Sequence, residues 1–486
     1  MSMRHHPHPH PLASSSRREW LRRTAAMATV LGTGGAANLL LGSRQLAHAA
    51  DYKALVCIFL FGGNDGMNMV VPTDALRHGQ YAGVRGPLAL PQGALVPLAG
   101  SDFGLHPSLA ALAPLWGQGA LVPVFNVGPL YSPVTKEEFR NAGEGSPLIP
   151  DSLYSHSDQQ LQWESGGTSS LERTGWGGRG SDVLNTVNPV ISVGGNARFG
   201  AEALRSPLVL PGPGSTFGAY GLGAKDMTWR PNQLRKEAID AMYAAPSPTD
   251  VHQAFVNQQG FAFEMAERLG PLVGSEPGDE LSLPAIDEAF APLMNGTRFN
   301  FALAAQLYQV AKLIANNATV QGNRQMFFAG HGGYDTHFGQ VAGGATQGPH
   351  AGLLKELGDA MAAFQQAMVN LGLGRVVTTF TESDFGRTFA PNLSNGTDHA
   401  WGNHQLVMGE ALKGHLTYGR YPELVLGGPD DVGVYEWELQ GRWIPTSSVD
   451  QYAATLLQWF GANSRQLDRI LPNLANFGKQ RSLGFL

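Results

Sequence analysis

The chain has 486 residues, of which 43% are hydrophobic and 15% charged, a composition typical of a globular protein. Its formal net charge is −6, and residues 1–49 carry six arginines and one glutamate, so the remainder has a net charge of −11. This acidic balance argues against nucleic acid as a partner, because its binding needs lysine and arginine to neutralise phosphates. The single cysteine, Cys57, excludes an internal disulfide.

The N-terminus has the pattern of an export signal. Residues 16–23, SRREWLRR, form a twin-arginine signature, and a mildly apolar stretch follows at 24–42. Ala47 and Ala49 occupy the two positions that a signal peptidase reads, so we expect cleavage after Ala49. An uncleaved anchor is the alternative, although this stretch is shorter than the roughly 18 apolar residues of a spanning helix. No other segment resembles a transmembrane helix, and we expect a periplasmic or secreted mature chain.

Short runs rich in Val, Ile, Leu and Phe predict strands that are buried on both faces. We expect these strands at 54–61, 121–125, 190–193, 326–329, 375–380 and 405–408. Helical periodicity predicts helices at 301–316, 353–371 and 449–460. Because strands and helices alternate, we expect an α/β fold in one domain, with a doubly wound, mostly parallel sheet and helices on both faces. Irregular, Gly/Pro-rich insertions are predicted at about 196–232 and 270–297, over the active-site face.

The first polar motif is GGNDG at 62–66, directly after the most apolar predicted strand. Its Asp65 is a candidate metal ligand, because the neighbouring glycines allow the backbone to approach a bound ion closely. An ordinary Asn-Asp-Gly turn is the alternative interpretation of the same residues.

The second motif, HGGYDTH at 331–337, contains Asp335 and His337 at alternate positions, with His331 four residues before Asp335. In an extended segment these side chains lie on one face. Carboxylate and imidazole together suit Zn²⁺, Mn²⁺, Fe²⁺ or Mg²⁺, and thiolate-based sites are excluded by the cysteine count. This motif therefore predicts a divalent metal site.

The third motif, SDFGRT at 383–388, follows the strand predicted at 375–380 and contains Asp384 and Arg387. Arg387 is a candidate anion-binding residue, because a guanidinium grips phosphate, sulfate or carboxylate with paired donors. A structural ion pair between an aspartate and this arginine is the alternative.

The fourth motif, GTDHAWGNH at 396–404, places Asp398 and His399 in tandem and ends at His404. Taken alone it is weakly informative. In an open α/β sheet, however, the ligand crevice lies at the carboxyl ends of the strands. We therefore expect the four motifs to form one active site.

The order of these motifs after a twin-arginine signal resembles the bacterial family of exported proteins catalogued as domain of unknown function 1501, from Arg17 to the C-terminus. That family is similar to the alkaline phosphatase and sulfatase superfamily. The resemblance implies an alkaline-phosphatase-like α/β fold with a metal site at the strand carboxyl ends. It implies these metal ligands: Asp65, Asp335, His337, Asp384 and His399.

Two departures from the superfamily pattern affect the expected chemistry. Asp384 is followed by Phe385 where the superfamily has a histidine, so one imidazole is missing and a second metal ion is in doubt. Cys57 lacks the Cys-x-Pro-x-Arg context from which sulfatases make their nucleophile. The candidate nucleophiles are Ser155 and Ser157, which open a segment of helical pattern, where N–H groups could hold an oxyanion; an N-capping serine is the alternative.

These observations lead to the hypothesis of an exported metal-dependent hydrolase that acts on a phosphate or sulfate ester with one or two divalent ions. One alternative is a non-catalytic periplasmic binding or assembly protein, with an exported protein as partner. A third hypothesis is a lipase-like serine esterase, because GGND at 62–65 also resembles the Gly-x-Asn-Asp block of those enzymes. No Gly-Asp-Ser motif precedes it, however.

Overall fold

A computed structural model describes residues 51–143, 145–246 and 249–486. The predicted signal peptide at 1–49 lies outside the described residues. The strands are β1 Lys53–Phe61, β2 Val70–Pro72, β3 Val96–Pro97, β4 Phe103–Leu105, β5 Leu121–Gly128, β6 Ile191–Ser192, β7 Leu208–Val209, β8 Met294–Asn295, β9 Arg298–Phe299, β10 Arg324–Gly332, β11 Val377–Ser383, β12 Asn403–Met408 and β13 Ser447–Ser448.

The α-helices are α1 Gly66–Met69, α2 Ala75–Arg85, α3 Ala113–Gly117, α4 Lys136–Asn141, α5 His156–Ser165, α6 Trp176–Val183, α7 Arg230–Ala244, α8 Asp250–Gly274, α9 Pro284–Phe290, α10 Ala302–Ala315, α11 Asn317–Val320, α12 Pro349–Asn370, α13 Val449–Phe460 and α14 Ser464–Ile470. Short 3-10 turns connect several of them. The three helices predicted from periodicity correspond to α10, α12 and α13.

Eight strands form the central sheet, in the order β13-β5-β12-β11-β1-β10-β6-β7. Neighbours are parallel except for β12, which runs antiparallel to both β11 and β5. Each strand predicted from an apolar run is present in this sheet. The predicted α/β fold with a large, mostly parallel sheet is therefore confirmed.

The central strand β1 shows why the sheet is buried on both faces. Its alternate side chains enter two separate hydrophobic cores, since successive residues of a strand point to opposite faces. The first core contains Ala54, Val56, Ile58 and Leu60, and the second contains Leu55, Cys57 and Phe59. Helices α10 and α12 pack in the first core and α13 in the second, so helices cover both faces.

Two of the longest helices, α7 and α8, were not predicted from the sequence. Helix α8 contains Gly260, Gly270 and Pro271, residues that ordinarily interrupt a helix, and only five of its 25 residues are buried. The glycines and the proline therefore conceal the helix in the sequence. The span 270–297, predicted as irregular, contains the end of α8 and all of α9. Within the described part of the chain, no helix is both long and apolar enough to cross a membrane.

Candidate metal centre

The four polar motifs meet at one edge of the sheet. The first three follow the carboxyl ends of β1, β10 and β11, which are parallel neighbours. The fourth precedes β12 instead of following a strand. Because β12 is antiparallel to β11, its amino end lies at the same edge as the carboxyl ends of the other three strands.

A cluster of imidazoles surrounds Asp335 at this edge. His156, Asp335 and His399 offer ligand atoms that all lie within 4.8 Å of one another, so they form a possible metal-binding group. The Nε2 atoms of His337, His156 and His399 lie 3.2, 3.3 and 3.5 Å from Asp335 Oδ1. Three imidazoles from α5, the second motif and the fourth motif therefore point at one carboxylate oxygen.

The other ring nitrogen of each imidazole is held by an acceptor. These Nδ1 contacts join His156 to Asp384 (2.6 Å), His337 to Asp398 (2.7 Å) and His399 to the Tyr154 carbonyl (2.7 Å). A metal-binding histidine usually donates its second N–H in this way, which fixes the ring and directs the free lone pair at the ion. The surroundings of the cluster thus match those of a metal site.

The two closest imidazoles face each other through atoms that carry lone pairs when the rings are neutral. His337 Nε2 and His399 Nε2 are 2.8 Å apart. A carbonyl oxygen can only accept, so the Tyr154 contact places the proton of His399 on Nδ1. Burial lowers the pKa of His399, which favours its neutral form. Two lone pairs at this distance repel each other unless a proton or a cation lies between them.

His156 is the site residue that the sequence interpretation did not commit to. Its Nε2 lies close to Asp335 but is buried and makes no hydrogen bond. The hydrogen bond with Asp384 raises the pKa of His156. Phe385 stands where a histidine was expected beside Asp384, and His156 of α5 contacts Asp384 instead. The sequence feature that could have indicated this residue is its position between the two candidate nucleophiles, Ser155 and Ser157.

Asp384 and Asp398 support the cluster from outside it. Asp384 Oδ2 accepts hydrogen bonds from the Gly62 backbone N–H, at 3.1 Å, and from His156, while its Oδ1 is buried without a partner. Asp398 accepts from Asn392 and His337. The predicted ligand Asp384 therefore contacts a cluster histidine.

Arg387 lies almost entirely inside the protein, at 1% exposure. Its guanidinium donates to Asp335 Oδ1 and to the carbonyl oxygens of Gly62, Gly63, Tyr334 and Thr397. Burial alone would raise the pKa of Asp335, but the hydrogen bond and charge of Arg387 lower it. Arg387 thus joins its own motif to the other three, and each of its nitrogens has at least one acceptor. This differs from the predicted role as an anion-binding residue.

Asp65 is fully buried, and the structure gives its carboxylate partners outside the imidazole cluster. Its Oδ2 accepts hydrogen bonds from Arg85 and from Gln340. Although burial raises the pKa of Asp65, Arg85 and the nearby His350 lower it overall. Asp65 does not join the group of ligand atoms around Asp335. The carboxylate instead neutralises a buried arginine on α2.

The remaining predicted residues lie either beside the imidazole cluster or away from it. Ser155 and Ser157 flank His156, but their hydroxyls lie within hydrogen-bonding distance of each other, at 3.2 Å, and of Asp158. His331 contacts Tyr334 and Glu356 instead of the cluster, and His404 accepts from the Asn126 backbone. The structure therefore brings together Asp335, His337, Asp384, Arg387 and His399, and adds His156.

The half-open surface of the cluster leaves room for a ligand. The side chain of Asp335 is 48% exposed, and those of His156, His337 and His399 are 34, 30 and 24% exposed. A closed structural metal site would be buried, whereas a catalytic one keeps an open coordination position.

Fold and site together define an α/β protein with a candidate metal centre at the carboxyl edge of its main sheet. Residues 236–431 match the family described as "Protein of unknown function (DUF1501)", which confirms the resemblance drawn from the motifs. The matched range includes the second, third and fourth motifs. No curated protein matches the chain.

Proposed function

We propose that the protein is a metal-dependent hydrolase of a phosphate or sulfate ester, with one divalent cation held by His156, His337, His399 and Asp335. The observation that carries the proposal is the convergence of three Nε2 atoms on Asp335 Oδ1 at 3.2–3.5 Å. Ligands at about 2.0–2.1 Å from a tetrahedral ion are separated by roughly 3.3 Å. The separations from Asp335 match that spacing, whereas His337 is closer to His399, at 2.8 Å, and lies outside the group whose ligand atoms are all within 4.8 Å of one another. With all four residues bound, the ester would occupy a fifth position on the ion.

The donor set narrows the choice of ion. Three imidazoles and one carboxylate suit Zn²⁺, Fe²⁺ or Mn²⁺ better than Mg²⁺, which prefers oxygen ligands and keeps several waters. We propose one ion because Asp65, one of the predicted ligands, is paired with Arg85, and because Phe385 stands where a second imidazole was expected. The alkaline-phosphatase-like assignment is part of the same proposal, supported by the positions of Asp335 and His399 at the carboxyl edge.

A bound divalent cation would supply a Lewis acid that polarises the ester and activates a nucleophile. The chain's own residues would orient that chemistry. Arg387 holds the Asp335 carboxylate, and Asp384 and Asp398 keep two of the imidazoles in fixed orientations. Ser155 and Ser157, next to His156, remain the proposed nucleophiles, with water as the alternative. The twin-arginine signature at 16–23 supports export to the periplasm as part of this proposal.

Metal analysis coupled to an activity panel tests the proposal. The mature chain, purified without chelator, is analysed by inductively coupled plasma mass spectrometry. It is then assayed with 4-nitrophenyl phosphate, bis(4-nitrophenyl) phosphate and 4-nitrophenyl sulfate. We expect about one ion per chain and turnover of at least one ester. Both should be lost in His399→Ala.

The matched control is His415→Asn. His415 is an exposed histidine whose left-handed backbone, with φ of 61°, suits asparagine. This variant should keep both the ion and the activity. A sub-stoichiometric ion in the unmodified protein, or equal metal content in the two variants, would contradict the proposal.

A non-catalytic binding protein is the second candidate, and one observation favours it. Arg387 is buried, with 1% of its surface exposed, and is held by Asp335 and backbone carbonyls, so it is not placed to grip an ester anion. This candidate predicts a stoichiometric ion without turnover of any ester in the panel. A serine-reactive fluorophosphonate probe tests the esterase hypothesis, since labelling of Ser155 or Ser157 is expected only if one of them is a serine nucleophile.

A further inference from the structure

A hairpin-like loop beside the metal centre presents two exposed aromatic rings. Residues 430–432 pair with 442–444 in antiparallel fashion at its base. Near its tip, Tyr435 and Trp437 are 58% and 74% exposed. Their rings are parallel to within 7°, with centroids 6.2 Å apart. Two large apolar faces at the surface need an explanation, because such groups usually mark a binding site when they are held rigidly together.

The loop is held rigid from within. Asp431 is fully buried and accepts hydrogen bonds from four backbone N–H groups, those of Gly427, Gly433, Gly441 and Arg442. Glu438 accepts from the backbone N–H groups of Val434 and Tyr435 and pairs with Arg140 at 3.1 Å. The Arg140 guanidinium also lies 5.8 Å from the centre of the Tyr435 ring. The aromatic pair is therefore preorganised.

A cavity with both apolar and polar walls lies at the base of the same loop. It has a volume of about 340 Å³ and is lined by Thr135, Lys136, Glu137, Arg420, Asp430 and Thr446, among others. Lys136 and Arg140 lie one turn apart on α4, so the same face of this helix borders the cavity and supports the aromatic pair. The volume falls within the range of small-molecule sites.

The base of the loop contacts the metal centre. Arg442 donates to the carbonyl of His399 at 3.0 Å, and its guanidinium lies 4.7 Å from the centre of the Tyr154 ring. The Tyr154 carbonyl in turn accepts from His399 Nδ1. The base of the loop is therefore joined through His399 to the cluster around Asp335.

We propose that the aromatic pair and the adjoining cavity form a saccharide-binding site. A sugar ring offers an apolar C–H face that stacks on flat aromatic rings and hydroxyl groups that bond charged side chains. The surface supplies the ring faces of Tyr435 and Trp437 and, on α4, the exposed carboxylate of Glu137, which lines the cavity. A protein partner fits less well, because a stable interface buries about 800 Å² on each side. The exposed apolar side chains here are Val434, Tyr435 and Trp437.

The saccharide site does not depend on the proposed hydrolase, but one consequence does. If the cation acts on an ester, the adjacent saccharide is the part of the substrate that carries this ester. The substrate class would then be a sugar bearing a phosphate or sulfate group, and that step rests on the proposed function.

Isothermal titration calorimetry of the full mature chain tests the binding site. The probes are maltohexaose, cellohexaose, chitohexaose and a heparin hexasaccharide. We expect at least one of them to bind, and Trp437→Ala to weaken its affinity by about tenfold or more. Trp437→Phe, which keeps a ring face, should recover part of the affinity. Trp229→Ala is the matched control, because Trp229 is also exposed, at 62%, but lies outside this surface.

The outcomes separate this site from the metal proposal. Absence of binding to all four probes, or equal binding by Trp437→Ala and Trp229→Ala, would overturn the saccharide site. Circular dichroism verifies that the variants are folded. His399→Ala should keep saccharide binding while losing the ion, and Trp437→Ala should keep the ion. A missing ion with intact saccharide binding would overturn only the proposed hydrolase.

Discussion

The role predicted for Asp65 from the sequence differs from the contacts that the structure shows, so replacing this residue is informative. The sequence predicts a metal ligand, whereas the structure shows a fully buried ion pair with Arg85. In Asp65→Ala the guanidinium of Arg85 would remain charged and buried without its counterion. Its other contacts, with Asn68 and the Thr388 and Phe389 carbonyls, cannot neutralise that charge.

The expected size of the effect follows from that geometry. Breaking a buried ion pair by removing one partner costs about 3–5 kcal/mol of unfolding free energy. Gln340 would also lose its acceptor, which adds about 1 kcal/mol. If Asp65 is structural, this loss appears in stability while the ion content of the folded protein remains unchanged.

Urea unfolding monitored by tryptophan fluorescence, with metal analysis of the folded fraction, measures both quantities. The double variant Asp65→Ala/Arg85→Met provides the control. It removes the uncompensated charge, so its loss of stability should be smaller than that of Asp65→Ala. The reasoning is refuted if Asp65→Ala unfolds at the same urea concentration as the unmodified protein but has lost its ion.

Three further predictions follow from other buried groups. Burial lowers the pKa of His350 to about 3, so below pH 6.5 the unfolded chain takes up a proton that the native chain does not. The stability from this group is present above pH 6.5 and should fall by about 2 kcal/mol between pH 6.5 and 5 in EDTA. Urea titrations at several pH values should show a smaller pH dependence of stability in His350→Gln. Burial raises the pKa of Glu382 well above its usual range. Glu382→Gln keeps the acceptor for Trp176 Nε1 and should lower the free energy of unfolding in urea by less than about 1 kcal/mol, whereas Glu382→Ala should lower it by about 3 kcal/mol. Equal losses of unfolding free energy in the two variants would contradict this. Arg387→Lys should weaken metal binding by about 10–100-fold in competition with a chelator, because Asp335 loses its orienting contact; unchanged affinity would rule out that role.

The main sheet was predictable because its strands are buried on both faces. Such strands form continuous apolar runs, and β1 and β10 follow that pattern. Helix α8 was not recognised, because Gly270 and Pro271 within it resemble a break. The antiparallel direction of β12 was equally hidden, since an apolar run has no orientation.

The site was predictable where neighbouring residues share one motif. Asp335 and His337 are two residues apart, so their proximity follows from local geometry. His156 joins them only through the path of the chain after β5, which no local pattern encodes. The pairing of Asp65 with Arg85 likewise depends on where α2 packs. The sequence indicated which residue types the site contains, but membership of the cluster depends on tertiary contacts.

X-ray absorption spectroscopy at the edge of the bound metal tests the central claim most directly. The account predicts nitrogen and oxygen scatterers at about 2.0–2.1 Å, with the outer-shell signal of several imidazoles and no sulfur. The imidazole signal should weaken in His156→Ala, the residue that the structure adds to the sequence motifs. A spectrum without imidazole scattering, or one that is unchanged in His156→Ala, would contradict the claim that these histidines share one ion with Asp335.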